Sequence, residues 1–419
     1  MKFTGVPAAF FSVTTLFFAW GFITSNNDPL IASLKASFSL TYTEALMTQL
    51  VSFAAYGIMS LPAAVLLNRL GALRSIQIAL ATMVCGCMLV QVLARHQNYG
   101  LILAALFVLG AGITILQVAA NPLAAALGPP ESSHFRLTFA QAFNSLGVVV
   151  GVSFGSAIML GEDVLKAGHA PISDPAQRMH ALNGVTHAFS LIALFLVGMM
   201  IFIWFFRKHI EASDAATEDV SSPFAALRSR WAVFGAIAIG LYVGAEVSIG
   251  SIMINFLNRE EVLNLSLETA GFYLANIYWM GALVGRFVGS YLLTRFPAAV
   301  LLGCAAAMAA LLCVTVVTAD GPIAAYAALM VGLFNSIMFP TIFTITLERA
   351  GVAQSSTSGL LCVAIVGGAI LPYTVGLIAD NLSLSTAFLV PMLAYVAITV
   401  FAMLAAKARA GRSRRSARR

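Results

Sequence analysis

Residues 207–230 read RKHIEASDAATEDVSSPFAALRSR, the longest polar stretch in the chain. Arg207, Lys208, His209, Glu211, Asp214, Glu218, Asp219, Arg228 and Arg230 crowd into it, and on both sides the sequence is nearly continuous hydrocarbon. Working outward, six apolar runs precede it, at roughly 8–34, 43–70, 76–95, 100–128, 132–160 and 185–208. Six more follow, at roughly 230–258, 268–295, 298–318, 322–348, 356–380 and 384–407. Each has the ~20 residues that a helix needs to cross a bilayer, and in hydrocarbon a helix satisfies its own backbone. The pattern predicts an all-α membrane protein of twelve transmembrane helices in two pseudo-symmetric six-helix bundles. Residues 1–208 form the first bundle, 209–229 a linker, 230–408 the second bundle and 409–419 a basic tail.

Composition agrees. Of 419 residues, 60% are hydrophobic and 10% charged, and the mean hydropathy is +0.92. Soluble domains carry about a quarter charged residues, so this chain cannot clothe a water-facing surface, and the twelve runs leave no room for a soluble catalytic domain. The net charge of +6 does not indicate nucleic acid, because seven of the 23 basic residues lie in the last thirteen positions, Lys407 to Arg419. A basic tail directly after an apolar span is expected to rest on anionic membrane lipid. The first run is too long for a cleaved signal peptide. The five cysteines (85, 87, 304, 313, 362) all lie in apolar runs and lack zinc or disulfide spacing. No cofactor is expected.

Basic residues set the orientation. With both termini inside, Lys2, Arg69, Arg74, Arg136, Arg207, Lys208, Arg228, Arg230, Arg295, Arg349 and the tail fall on the cytoplasmic side. Lys35, Arg95, Lys166, Arg178 and Arg259 fall outside. The positive-inside rule therefore predicts cytoplasmic termini and an even number of spans, in a bacterial cytoplasmic membrane. The halves also resemble each other. Leu66-Leu67-Asn68-Arg69-Leu70-Gly71-Ala72 ends span two and Leu292-Leu293-Thr294-Arg295-Phe296-Pro297-Ala298 ends span eight, while Gln117 and Pro122 in span four match Asn335 and Pro340 in span ten. Repeated halves around a midplane site are the plan of one large transporter class.

Polar residues within the spans are the functional candidates. Of 17 acidic residues only Asp28 and Glu246 lie well inside spans, with Glu348 at an inner end. A carboxylate in hydrocarbon costs several kcal/mol and so borders a cavity or a partner. Removal from water also favours its protonated form, which suits it to carry a proton. Asp28 closes Thr24-Ser25-Asn26-Asn27-Asp28-Pro29, where the proline disturbs the helix. Amides are spread over several spans: Asn27 on span one, Gln117 and Asn121 on four, Gln141 and Asn144 on five, Asn276 with Trp279 on eight, and Asn335 on ten. Amides and carboxylates pair with vicinal hydroxyls and an aromatic face covers the C–H side of a pyranose, so the set suits a sugar. Each amide alone could equally tie helices together. Arg286, with Arg69, Arg136 and Arg295, is read as gating or structural. Gly147, Gly151 and Gly155 on span five and Gly281, Gly285 and Gly289 on span eight form small-residue faces, suited either to sliding between halves or to static packing.

The stretches Leu116-Gln117-Val118-Ala119-Ala120-Asn121-Pro122, Glu131-Ser132-Ser133-His134-Phe135-Arg136-Leu137 and Ala140-Gln141-Ala142-Phe143-Asn144-Ser145 resemble the fucose–proton symporter family of the major facilitator superfamily. Trp20-Gly21, Asn27-Asp28 and Gly285-Arg286-Phe287 do so too. The resemblance implies that Asp28 takes part in proton coupling and that Gln141 and Asn144 contact sugar. The family's span-four glutamate is here Gln117, which cannot titrate. Tyr242 through Ser251 resembles the glucose/galactose transporter branch. The expectation is a proton-coupled hexose symporter, monomeric, using Asp28 with Glu246 as second carboxylate. Its rivals are a carrier of fucose or N-acetylglucosamine, a sodium-coupled sugar carrier, a proton-driven exporter, and a non-transporting sensor. No nucleophile–base pair or phosphate loop suggests an enzyme.

Overall fold

The computed structural model describes residues 8–38, 40, 42–159, 175–213 and 222–416. Lys2, Lys166, residues 214–221 of the linker and the last three residues of the basic tail lie outside these. Among the described residues all regular structure is helical.

The first apolar run makes two helices, α1 (Ala8–Ser25) and α2 (Asn27–Phe38), rather than one. Pro29 is the cause, because it has no N–H for the Ser25 carbonyl and its ring crowds that carbonyl. The Asn26 N–H turns instead to the Ile23 carbonyl at 3.2 Å. The Phe22 carbonyl, thereby released, accepts from Asn26 Nδ2 at 2.6 Å and Ser25 Oγ at 3.0 Å. Side chains of the break thus take up the Phe22 carbonyl, and the break sets Asp28 in the first turn of α2.

Helix α3 (Tyr42–Ala94) contains two predicted spans. Gly71 interrupts it at φ 77°, ψ 172°, backbone that a residue with a Cβ adopts only under strain. Its apolar part, Met47–Ala94, is 48 residues, about 72 Å at ~1.5 Å per residue, more than two bilayer cores of ~30 Å. The first half continues with α4 (Tyr99–Ala126), whose first turn is capped by Asn98 Oδ1 accepting from the Leu101 N–H at 3.1 Å, then α5 (Ser133–Met159), α6 (Pro175–Phe205) and the short α7 (Arg207–Ser213).

The second half begins with α8 (Arg230–Asn258). Span eight is then assembled from α9 (Leu267–Tyr273), a π-helical turn over Leu274–Trp279, and α10 (Met280–Leu292). After α11 (Ala298–Thr318), span ten is split into α12 (Gly321–Asn335) and α13 (Met338–Arg349). Here Pro340 does what Pro29 does in span one: it leaves the Ser336 carbonyl without its helical donor. Span eleven is α14 (Gln354–Val363) and α15 (Gly367–Asn381), and α16 (Leu384–Ala387) leads into α17 (Leu389–Ser416). The backbone of α17 stays helical through 409–416, so most of the predicted tail prolongs the last helix.

Among the described residues, ten helical segments are long and apolar enough to cross a membrane. Counting Met47–Ala94 as two and adding the π-interrupted span eight gives the twelve expected from sequence. The chain gathers into two compact units: Met1–Gly128 with Phe143–Pro223, and Pro129–Ala142 with Phe224–Arg419. The opening turns of α5 therefore group with the second unit.

The glycine rows serve close static packing within each unit. A Cβ on Gly147 would lie 2.9 Å from the Phe22 nitrogen, one on Gly151 2.9 Å from the Phe22 carbonyl carbon, and one on Gly155 2.7 Å from Pro29 Cγ. All three therefore let α5 approach the α1–α2 break. On α10, a Cβ on Gly285 would lie 2.7 Å from the Leu333 carbonyl oxygen. Backbone cannot step aside, so Gly151→Ala is expected to destabilise the protein by about 1–3 kcal/mol. Gly198, with nothing within 4 Å of an added Cβ, is the control, and Gly198→Ala should be neutral or slightly stabilising in a helix interior. Thermal unfolding of the two variants in detergent measures the difference; equal melting temperatures would contradict this packing.

Candidate substrate and coupling site

Within the second unit, Glu246 lies in the middle of α8. Tyr242, one turn earlier, donates its hydroxyl to Glu246 Oε1 at 2.7 Å. Arg286 Nη2, on α10, stands 3.9 Å from the same oxygen, with the Arg286 and Glu246 side chains 12% and 15% exposed. Arg286 also donates from Nε to the Ser336 carbonyl at 3.2 Å, the group that Pro340 deprived of a helical partner. The guanidinium thus compensates a helix break and a buried carboxylate together. The sequence reading took Arg286 as gating or structural; the fold pairs it with the intramembrane acid.

The π turn supplies the aromatic side. A π turn carries one residue more than an α turn, which rotates the residues after it about the helix axis. Tyr278 is turned inward and fully buried. It donates its hydroxyl to the Glu246 carbonyl at 3.4 Å and accepts from Asn335 Nδ2 at 3.1 Å. Tyr395, also fully buried, adjoins Asn335 and Tyr278. Trp279 meets Tyr278 edge to face, with centroids 4.9 Å apart at 88°. Its indole is close enough to α8 that a Cβ on Gly250 would come within 3.2 Å of it, yet Trp279 remains 37% exposed. Glu246, Arg286, Trp279 and Asn335 are thus brought into one cluster. Asn276 is not; it is exposed and donates to the Phe272 carbonyl of its own helix at 2.9 Å.

Within the first unit the candidates are more dispersed. Asp28 is exposed and makes no hydrogen bond or ion pair among the described residues. Asn27 donates to Ser52 Oγ on α3 at 3.1 Å. On α4, Gln117 donates from Nε2 to the Tyr56 hydroxyl, while its Oε1 and both amide atoms of fully buried Asn121 find no partner among the described residues. An unpaired buried amide costs about 1–3 kcal/mol, a penalty that a polar guest between helices would relieve. Asn144 donates to the Phe17 carbonyl at 3.1 Å and so ties α5 to α1. Gln141 is buried in the part of α5 that belongs to the second unit.

The remaining arginines divide. Arg136 is 3% exposed and donates from Nη1 to the Pro129 carbonyl at 2.8 Å and to Ser132 Oγ at 2.6 Å, which fixes the turn entering α5. Arg69 is exposed, and Arg295 lies over the Tyr291 ring at 5.7 Å. Sequence reasoning missed Tyr56, whose pairing with Gln117 has no local signal. It also missed His134, which bonds to Glu348 and Thr344 on α13.

A multi-helix membrane bundle with helices broken at its intramembrane acid and amide sites, and a polar–aromatic cluster set against one helix, has the plan of a transporter rather than an enzyme. The comparisons agree. The model of the Major Facilitator Superfamily matches residues 9–364. A glucose/galactose transporter of Brucella abortus biovar 1 (strain 9-941) is 42% identical over 94% of this chain and 93% of its own length. The L-fucose-proton symporter of Escherichia coli (strain K12) is 32% identical over 93% of this chain and 91% of its own. A crystal structure of the E. coli fucose:proton symporter superposes with a TM-score of 0.82 at 28% identity, covering 94% of this chain and 98% of that one. The chain belongs to the major facilitator superfamily, as a multi-pass membrane transporter.

Proposed function

We propose that the protein is a secondary active sugar carrier that takes up a hexose such as glucose or galactose together with a proton, by alternating access. The observation that carries this reading is the cluster around Glu246. A carboxylate positioned by Tyr242 and Arg286 lies one turn of α8 before Gly250, against which the part-exposed Trp279 indole packs, and amides lie on neighbouring helices. Acid and amide groups are matched to ring hydroxyls, and the indole to the apolar face of the ring. The names of the relatives, glucose/galactose transporter and L-fucose-proton symporter, support both the sugar and the coupling ion.

In this reading sugar contacts fall to Gln117, Asn121, Gln141, Asn144, Glu246, Trp279 and Asn335, and Asp28 carries the proton. Asp28 fits that task because nothing else in its unit neutralises it: it has neither a basic partner nor a hydrogen-bond donor among the described residues. In the same reading the protein lies in the bacterial cytoplasmic membrane with both termini inside, as the distribution of basic residues supports. Gln117 in place of a titrating residue makes sodium the main rival ion.

A thermal-shift screen of sugars with and without sodium tests the substrate. Ligand at a hundred times its Kd stabilises by about 2.7 kcal/mol, so D-glucose or D-galactose should raise the melting temperature clearly. Trp279→Ala, which removes the aromatic face, should abolish that shift at the same sugar concentration. Stabilisation by lipophilic cations and by no sugar would favour an exporter instead.

A further inference from the structure

Helix α3 carries a polar ridge that the carrier reading leaves unused. Thr48, Ser52, Tyr56 and Ser60 recur at every fourth residue of a largely apolar stretch and so line one face of the helix. The two ends of the ridge are spent on packing. Thr48 Oγ1 lies 3.1 Å from the Tyr99 hydroxyl at the start of α4, and Ser60 donates to the Tyr56 carbonyl of its own helix at 2.6 Å. The two middle residues reach candidate site residues instead. Ser52 Oγ accepts from Asn27 Nδ2 at 3.1 Å, next to Asp28 in the first turn of α2. The Tyr56 hydroxyl accepts from Gln117 Nε2 on α4. A hydroxyl can give or take a proton, so both contacts stand whichever way each amide is turned. All four partners belong to the first unit.

The two bonds do different things. Gln117 is 2% exposed, and while Tyr56 holds one end of its amide, the Oε1 end has no partner among the described residues. Tyr56 thereby fixes the rotation of the side chain and presents the other end to a guest. Asn27 belongs to a turn that follows a helix break and contains Pro29, which donates no hydrogen bond. A side-chain tie contributes more to the place of such a turn than it would in mid-helix.

We propose that Ser52 and Tyr56 are positioning residues of the first-unit site, Tyr56 for the amide of Gln117 and Ser52 for the turn that carries Asp28. They stand one turn, about 6 Å, apart along a single helix, so α3 keeps the coupling carboxylate and the sugar amide in one register. Neither needs to touch sugar or proton. The assignment rests on the carrier reading, in which Gln117 contacts sugar and Asp28 carries the proton.

Full-length protein in proteoliposomes separates the two roles. Equilibrium exchange of radiolabelled hexose gives the KM, and accumulation driven by an imposed pH gradient gives the coupling. Tyr56→Phe should raise the exchange KM about tenfold, through the loss of the bond that orients Gln117, and should still reach the unmodified accumulation ratio. Ser52→Ala should leave the KM unchanged and lower the accumulation ratio, because a carboxyl group that shifts relative to bound sugar no longer biases the same state. Ser52→Thr keeps the hydroxyl and should accumulate as the unmodified protein does. Thr48→Val, on the same face, is the control and should change neither quantity. Variants that raise KM and lower accumulation together, or that change neither, would overturn the assignment, as would Ser52→Thr behaving like Ser52→Ala. Should Tyr56→Phe fail to reconstitute, the two Ser52 variants decide by themselves. An unmodified protein that exchanges no hexose would overturn the carrier reading and the assignment with it, whereas exchange without the expected split would overturn the assignment alone.

Discussion

Asp28→Asn is expected to exchange sugar across the membrane at close to the unmodified rate and to lose uphill accumulation completely. Asparagine keeps the size and hydrogen-bonding capacity of the side chain but cannot take up a proton. Binding and reorientation of sugar therefore persist, while the link to the proton gradient is cut. For one proton per sugar, a gradient of one pH unit is worth 1.36 kcal/mol and supports up to about tenfold accumulation. The variant should bring internal sugar only to the external concentration, with counterflow preserved. Accumulation that persists in Asp28→Asn would remove this residue from the coupling role and move attention to Glu246. The prediction depends on geometry in the first unit: the break at Pro29 exposes Asp28, and among the described residues no cation neutralises it.

The second large effect concerns Glu246. Glu246→Gln removes the carboxylate that stands 3.9 Å from the Arg286 guanidinium, a side chain 12% exposed. Removing one partner of a buried pair typically costs about 3–5 kcal/mol. The 3.9 Å separation and the retained bond from Arg286 Nε to the Ser336 carbonyl place the expected loss at the lower end of that range. Sugar binding should vanish as well, because Tyr242 and Arg286 lose the charged carboxylate that positions them and one of its two acceptor oxygens becomes a donor. The double variant Glu246→Gln with Arg286→Met separates the two losses: it should regain most of the melting temperature and none of the sugar-induced shift. If stability and binding return together, Glu246 acts only as a structural counter-ion.

Much of this was legible in the sequence because hydrocarbon imposes simple rules. Apolar length, the polar stretch 207–230 and the punctuation Leu-Gly-Ala at 70–72 sufficed for twelve spans, and Gly71 does turn the chain there with a positive φ. Pro29 was visible as a disturbance and Pro340 only as the counterpart of Pro122, and neither showed how its break would be repaired: the Asn26 side chain bonds within its own turn at the first, and Arg286 reaches the second from another helix. The site was legible in residue type more than in arrangement. Asn276 and Trp279 were read as neighbours on one face of a regular helix. The π turn over Leu274–Trp279, which no composition rule signals, sends Asn276 outward and brings Tyr278 in. The pairings of Glu246 with Arg286, of Gln117 with Tyr56 and of His134 with Glu348 join residues 40 or more positions apart in sequence. Such pairings depend on how helices pack, which a single sequence does not reveal. The glycine rows show the same limit: their spacing promised close approach without saying to what, and the answer is a neighbouring helix of the same unit.

The central claim, that sugar and proton cross together, is tested most directly by a pH electrode in a weakly buffered suspension of proteoliposomes. Adding D-glucose or D-galactose outside, with no sodium present, should make the medium transiently alkaline as protons enter with sugar, and the same vesicles carrying Asp28→Asn should give no signal. Entry of labelled hexose without any pH change, or entry only when sodium is supplied, would contradict it.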